Sequence, residues 1–355
     1  MKVCYFTKYS RKGASSRLRS FQYFPGLKST GVEVSSSVLF DDAYIQKKYR
    51  GGFPVLQVIR AYFNRTWRLL SSRKFDVIVI EKELFPYLPP FSEWLLKVFG
   101  IPYVLDFDDA IFHNYDKSTN ALVRLFFQKK IDKIMKWSSG VVVGNDYLKN
   151  RAIEAKAGFI TLIPTVVDLK RYEESNHSHN PKERMVIGWI GSPSTFQYLR
   201  QIEAVLEKAV SQWNVAICIV GANESLSFQD HVSYVDWTEN TEVSSIMNFD
   251  VGIMPLDDSP WSKGKCAYKL IQYMACKLPV IASPVGANKE VVAHGINGYL
   301  AATEAAWLEC IGDYLQNPSK REEHGKKGFE KVQKEYNLDQ ATKRWLGVLK
   351  KVSKS

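Results

Sequence analysis

KGKCAYKLIQYMACKLPVIASPVGANKEVV, residues 263–292, decides the fold. Leu270, Ile271, Met274 and Ala275 recur at helical spacing, so one face of a helix is buried. The following run, Pro279 to Ser283, is a short apolar strand, and Gly286 marks a turn into another helix. Helix, buried strand, glycine turn and helix in succession are the repeating step of a parallel α/β sheet. A core accounts only for the apolar half of this pattern. Lys263, Gly264, Lys265 and Cys266 stand where the helix is expected to open, with Lys269 one turn in. A helix N-terminus already carries partial positive charge, so lysines gathered there point to a bound anion, the alternative being a solvated helix start with three exposed lysines.

Outward from this stretch, strands alternate with helices along the whole chain. KVCYFT (2–7) and VEVSSSVLF (32–40) are strand-like, and FDVIVIEKE (75–83) and IPYVLDFDD (101–109) have the β-branched density of buried parallel strands. SSGVVVGND (138–146) and FITLIPTVVD (159–168) complete a first set. After the polar stretch KRYEESNHSHNPKERM (170–185), a second set runs VIGWIGS, VAICIVGA, VSYVDW, FDVGIMPL and LPVIASP. The pattern predicts two consecutive doubly wound domains, 1–168 and 186–335. A linker over 169–185 separates them, and an amphipathic helix over 336–355 packs back toward the first. Ligands of such sheets bind outside the C-terminal ends of the strands.

Composition narrows the class. A chain of 355 residues with 45% hydrophobic content buries a large core. It has no apolar run of about 18 residues, the length a membrane span needs, and its first residues lack the apolar segment of a signal peptide. Five cysteines without metal-ligand spacing fit a reducing cytosol. The net charge of +11 is uneven: residues 1–165 hold 26 Lys and Arg against 14 Asp and Glu. A basic half implies an anionic partner surface. The cations form no recognised nucleic-acid module, so nucleic acid is not the expected partner.

Several loops after strands carry candidate chemistry. In WIGSPSTFQYL, Gly191 and Ser192 turn the chain into a helix, where backbone amides can approach phosphate; an ordinary Ser/Thr cap gives the same pattern. In LDFDDAIF, Asp106, Asp108 and Asp109 follow a buried strand, and such carboxylates bind hydroxyls, act as bases or cap the next segment. Strand alternation sends Asp106 and Asp108 to one side and Asp109 to the other. In KYSRKGASSRLRSFQYF, Gly13, Ala14 and Ser15 make a small-residue loop before Arg17, without the spacing of a known phosphate loop. Over 55–75, Arg60, Arg65, Arg68, Arg73 and Lys74 interleave with Tyr62, Phe63 and Trp67, as in a helix lying on a membrane or in a packing helix with solvated arginines.

At this point the chain resembles the GT-B glycosyltransferases of family 4, retaining nucleotide-sugar transferases that build bacterial surface polysaccharides and lipid-linked glycans. IQYMACKLPVIASPVGANKEVVAHGINGYL is similar to the family's Glu-Ala-Met-Ala-Cys-Gly stretch with its Pro-Val-Ile strand and glycine turn. LIPTVVDLKRY resembles its interdomain segment. The resemblance implies two Rossmann-like domains facing across a cleft, with a nucleotide diphosphate sugar on the second. Gly191 and Ser192 would meet the phosphates from one side. Lys263 and the amides of Gly264, Lys265, Cys266 and Ala267 would meet them from the other, with Lys265 and Lys269 as catalytic cations. The family's ribose-binding glutamate falls at Gln272 and its other glutamate at Gly264, so both acids are replaced. Gly286 and Glu290 would lie near the sugar or base. A glycan or lipid-linked acceptor would meet Asp106 and Asp108 as catalytic groups, with Asp109 and the loop of Gly13, Ala14, Ser15 and Arg17 beside it. No metal or other cofactor is expected, because lysines neutralise the diphosphate. The enzyme is expected in the cytoplasm, peripheral to the anionic inner face of the membrane. A nucleotide-sugar epimerase, or a degenerate binder that keeps the donor pocket, are the alternatives.

Overall fold

The computed structural model describes residues 1–49, 52, 54–173, 183–222 and 224–353. The chain divides into two compact units: Met1–Thr165 with Gly264–Cys266 and Leu338–Ser355, and Val166–Lys263 with Ala267–Asn337. The core of the expected linker, 174–182, lies outside the described residues. On its flanks, Lys170–Glu173 is one helical turn and Met185 already opens a strand.

The first unit holds a parallel sheet of six strands: β1 (Lys2–Tyr9), β2 (Glu33–Phe40), β3 (Val77–Glu81), β4 (Tyr103–Phe107), β5 (Gly140–Val143) and β6 (Ile160–Leu162). Their order is β2-β1-β3-β4-β5-β6. β3, β4 and β5 are buried at every position, as their unbroken apolar runs require when helices cover both faces. β2, with Ser35 to Ser37 in its middle, takes the edge. The helix Leu338–Val352 belongs to this unit. Its Trp345 is fully buried, 6.3 Å from the Tyr5 ring and 6.1 Å from that of Tyr23.

The second unit repeats the plan with β7 (Met185–Ile190), β8 (Val215–Val220), β9 (Val232–Val235), β10 (Val251–Met254), β11 (Val280–Ala282) and β12 (Gly298–Leu300), ordered β12-β11-β10-β7-β8-β9 and parallel throughout. Ile187, Trp189, Phe196, Leu206, Val251 and Trp307 lie in its core. In each sheet the order reverses beside the first strand, between β1 and β3 and between β7 and β10. Loops leaving the strand ends there are where such sheets hold ligands. Among the described residues, no helix is long and apolar enough to cross a membrane.

Candidate functional site

In the first unit, the strand ends gather a polar cluster. Glu81 closes β3 in register with Asp106 of β4. Its carboxylate accepts from the Lys8 amide (2.9 Å) and from the Ser16 hydroxyl (2.6 Å). The next residue, Lys82, has φ of 67°, a left-handed conformation that L side chains rarely adopt. Its Nζ lies 2.9 Å from Asp108 Oδ1 and 3.2 Å from Asp109 Oδ2. Ser15 Oγ stands 2.6 Å from Asp108 Oδ2. Burial alone would raise the Asp108 carboxyl, but Lys82, Arg19 and the Ser15 hydroxyl outweigh it and hold it below the usual carboxylate value.

This arrangement corrects three expectations. Asp106 meets no acceptor hydroxyl: it is 2% exposed and forks onto Arg19, with Nε to Oδ2 at 3.0 Å and Nη2 to Oδ1 at 2.5 Å. Burial, partly opposed by the Arg19 guanidinium, raises it to about 6. Asp108 and Asp109 do not part to opposite sides; β4 ends at Phe107, so alternation stops and both reach Lys82. Arg17 is not exposed to meet an acceptor: it is 3% exposed in the short helix Ala14–Arg19. Gly13 caps that helix, its N–H donating to the Ser10 carbonyl, and Ala14 is exposed.

Gly264–Cys266 joins this cluster. Asn145 Oδ1 caps the helix Asp146–Glu154 through the Leu148 amide, and its Nδ2 donates to the Lys265 carbonyl (2.9 Å). Cys266 Sγ donates to the Asp108 carbonyl (3.1 Å), and burial pushes its thiol up. A side chain at Gly264 would stand 2.7 Å from the Ala110 amide nitrogen, so no glutamate fits where the resembled family carries one.

In the second unit, Lys269 is the centre. Its Nζ sits 4.0 Å over the Trp189 ring and 3.5 Å from Thr195 Oγ1. A Cβ at Gly191 would come 2.4 Å from Trp189 Cη2 and 2.7 Å from that Nζ, so the glycine leaves the space that the indole and, beside it, the ammonium use. The amides of Gly191 and Ser192 are not offered to phosphate as expected. Gly191 N–H donates to the Val220 carbonyl (3.0 Å), and Ser192 N–H to Thr195 Oγ1 (3.1 Å), because Ser192 caps the helix Pro193–Arg200. The lysine helix also starts later than expected. Lys263 ends the turn Pro260–Lys263, and the next helix, Tyr268–Ala275, opens after Ala267, whose φ is 52°. Lys263 Nζ pairs with Asp258 (3.2 Å), and its backbone lies against Gly286. Gln272 is 3% exposed and lies beside the buried Tyr172 hydroxyl. Glu290 is exposed on Asn288–Val291, and its backbone carbonyl accepts from Lys331 Nζ.

Sequence reading thus missed Glu81, Lys82 and Asn145, and named Arg19 only beside Arg17 in the helix after the small-residue loop. A charged triplet Glu-Lys-Glu closing an apolar strand was the available signal for the first two.

Residues 185–317 match the family described as Glycosyl transferases group 1. No curated protein is significantly similar to the chain. Solved structures share the architecture over nearly all of it. The Anabaena protein HepE in complex with UDP matches with a TM-score of 0.72 at 13% identity, over 99% of this chain and 100% of that one. Sucrose-phosphate synthase from Thermosynechococcus elongatus gives 0.73 at 14%, over 99% and 98%. A glycosyltransferase from Rickettsia africae gives 0.70 at 14%, over 99% and 98%. At such identities the likeness establishes the fold: two parallel six-stranded sheets with helices, the GT-B architecture of glycosyltransferases.

Proposed function

We propose that the chain is a retaining glycosyltransferase that moves a sugar from a nucleotide diphosphate sugar to a glycan or lipid-linked acceptor of the cell surface. The observation that carries this is Lys269, held over Trp189 and the bare face of Gly191 where the second sheet reverses order. A cation fixed at that strand end matches a diphosphate. Lys265, four residues earlier in the chain, is the second candidate cation, and a side-chain amide such as that of Gln272 suits a ribose hydroxyl. HepE is seen with UDP and with UDP-glucose, so UDP-sugars are the first donors to test.

The chemistry asked of these groups is stabilisation of a leaving diphosphate, with its own oxygen taking the acceptor proton on the same face. Lysines supply the charge without a metal. In the first unit, Asp109, with its side chain 31% exposed, accepts from the acceptor hydroxyl. Lys82 and Asp108 position it. Asp106 is a structural partner of Arg19. The basic residues of the same unit favour peripheral attachment at the inner, cytoplasmic face of the membrane.

The test is binding and slow hydrolysis across UDP-, GDP-, dTDP- and ADP-sugars, with and without EDTA. Turnover of one donor, unaffected by EDTA and with the anomeric configuration kept, supports the proposal. Tight binding with no turnover in the presence of membrane extract favours the non-catalytic reading, which the crowded Gly264 and the amide at Gln272 support. No binding to any donor overturns both.

A further inference from the structure

We propose that the first unit inserts into an anionic lipid bilayer through an apolar face built by three helices beside the Lys82 cluster. Charge alone predicts a basic helix resting on headgroups. The structure turns the helix Val55–Leu69 the other way. Arg65 is buried, donating to the carbonyls of Thr7 and Ser37. The outward side carries Leu56, Ile59, Phe63, Trp67 and Leu70, all 62–80% exposed, at steps of three and four residues that share one helix face.

Two neighbours repeat the pattern. Phe91–Val98 exposes Phe91, Trp94 and Val98, and Ala121–Phe127 exposes Leu122, Leu125 and Phe126. The loop after β3 ties the three together. Tyr62 donates to the Pro86 carbonyl (2.7 Å), and Glu93 accepts from the Leu84 amide (3.0 Å). Tyr115 receives the Tyr87 amide and packs its ring 6.1 Å from Phe127. Lys82, in the acceptor-side cluster, opens that same loop.

The occupant follows from charge. Arg60, Arg73, Lys97 and Lys133 are exposed on or beside these elements, while their acids Glu83 and Glu93 are buried. Apolar and aromatic side chains rimmed by cations match the interface of an anionic leaflet. A second copy on the same face would set one cationic rim against another. The link to a lipid-borne acceptor rests on the transferase reading; the docking itself does not.

The experiment is flotation of the full chain with vesicles of phosphatidylglycerol and phosphatidylethanolamine, against phosphatidylcholine alone. Light scattering reports oligomeric state. We expect the protein to float with the anionic vesicles and to keep part of that binding in 0.5 M salt. The double substitution Phe63→Glu, Trp67→Glu should lower partitioning at least tenfold while circular dichroism and donor hydrolysis stay unchanged. Absence of flotation, equal flotation of the variant, or a dimer that the substitutions dissociate would each overturn the proposal. Donor turnover without flotation sinks the docking and spares the transferase; flotation without turnover does the reverse.

Discussion

Lys269 owes its place to a residue with no side chain. Replacing Gly191 with alanine sets a methyl 2.4 Å from Trp189 Cη2 and 2.7 Å from the ammonium, so the indole that carries the lysine must shift. Overpacking of this kind costs about 1–3 kcal/mol. Gly191→Ala should therefore lower the urea midpoint and weaken diphosphate binding together. Lys269→Met should separate the two, with stability nearly kept and kcat/KM for donor turnover down at least about tenfold, roughly 1.4 kcal/mol. Lys265→Ala should cost about as much in turnover; wild-type rates in either lysine variant would remove that residue from the mechanism. For Lys82 the readout is pH. Asp108 titrates lower in the folded protein than in the unfolded chain, so the pairing stabilises above the ordinary carboxylate value and fades as pH falls below it. Lys82→Met breaks a buried pair, which costs about 3–5 kcal/mol at neutral pH. The difference from wild type, followed by urea unfolding, should shrink toward pH 3; a constant difference would mean that Asp108 does not depend on this lysine.

At the scale of elements, the apolar runs and their glycine turns made the strands legible, because a strand buried on both faces needs nothing else. Strand ends were less so. Nothing in LDFDDAIF says that the pleat stops at Phe107, and that single boundary decides which carboxylates share Lys82. The lysine helix failed similarly: its apolar period fits any start between 263 and 268, and only the left-handed Ala267 sets it. Periodicity named the helix Val55–Leu69 but not which face turns inward, since an arginine there can serve solvent or buried carbonyls. Arg65 serves the carbonyls of Thr7, Ser37 and Leu84. Arg65→Met strands these acceptors, and unsatisfied buried groups cost about 1–3 kcal/mol each. Thermal unfolding should show that loss in the first unit, whereas Arg60→Met, on an exposed position, should leave it within about 0.5 kcal/mol.

For the whole molecule, the division into two units predicts separable melting. Trp345 lies in the helix Leu338–Val352 yet packs with Tyr5 and Tyr23. Trp345→Ala should cost about 3–5 kcal/mol, the range for emptying a buried indole site. Calorimetry should show one transition falling while the other, belonging to Val166–Lys263 with Ala267–Asn337, stays within a degree or two. Both moving equally would mean that the units unfold as one. The same helix sets a clock for the chain as it is made. The strands of the first unit leave the ribosome early, but the segment that roofs Tyr5 and Tyr23 is translated after all of Val166–Asn337. At about 5–20 residues per second, that interval lasts on the order of ten to thirty seconds. Throughout it the second unit can finish folding while the first waits with its Tyr5 and Tyr23 bay uncovered, so a chain halted before Leu338 should be cleaved in its first unit by protease faster than the full chain.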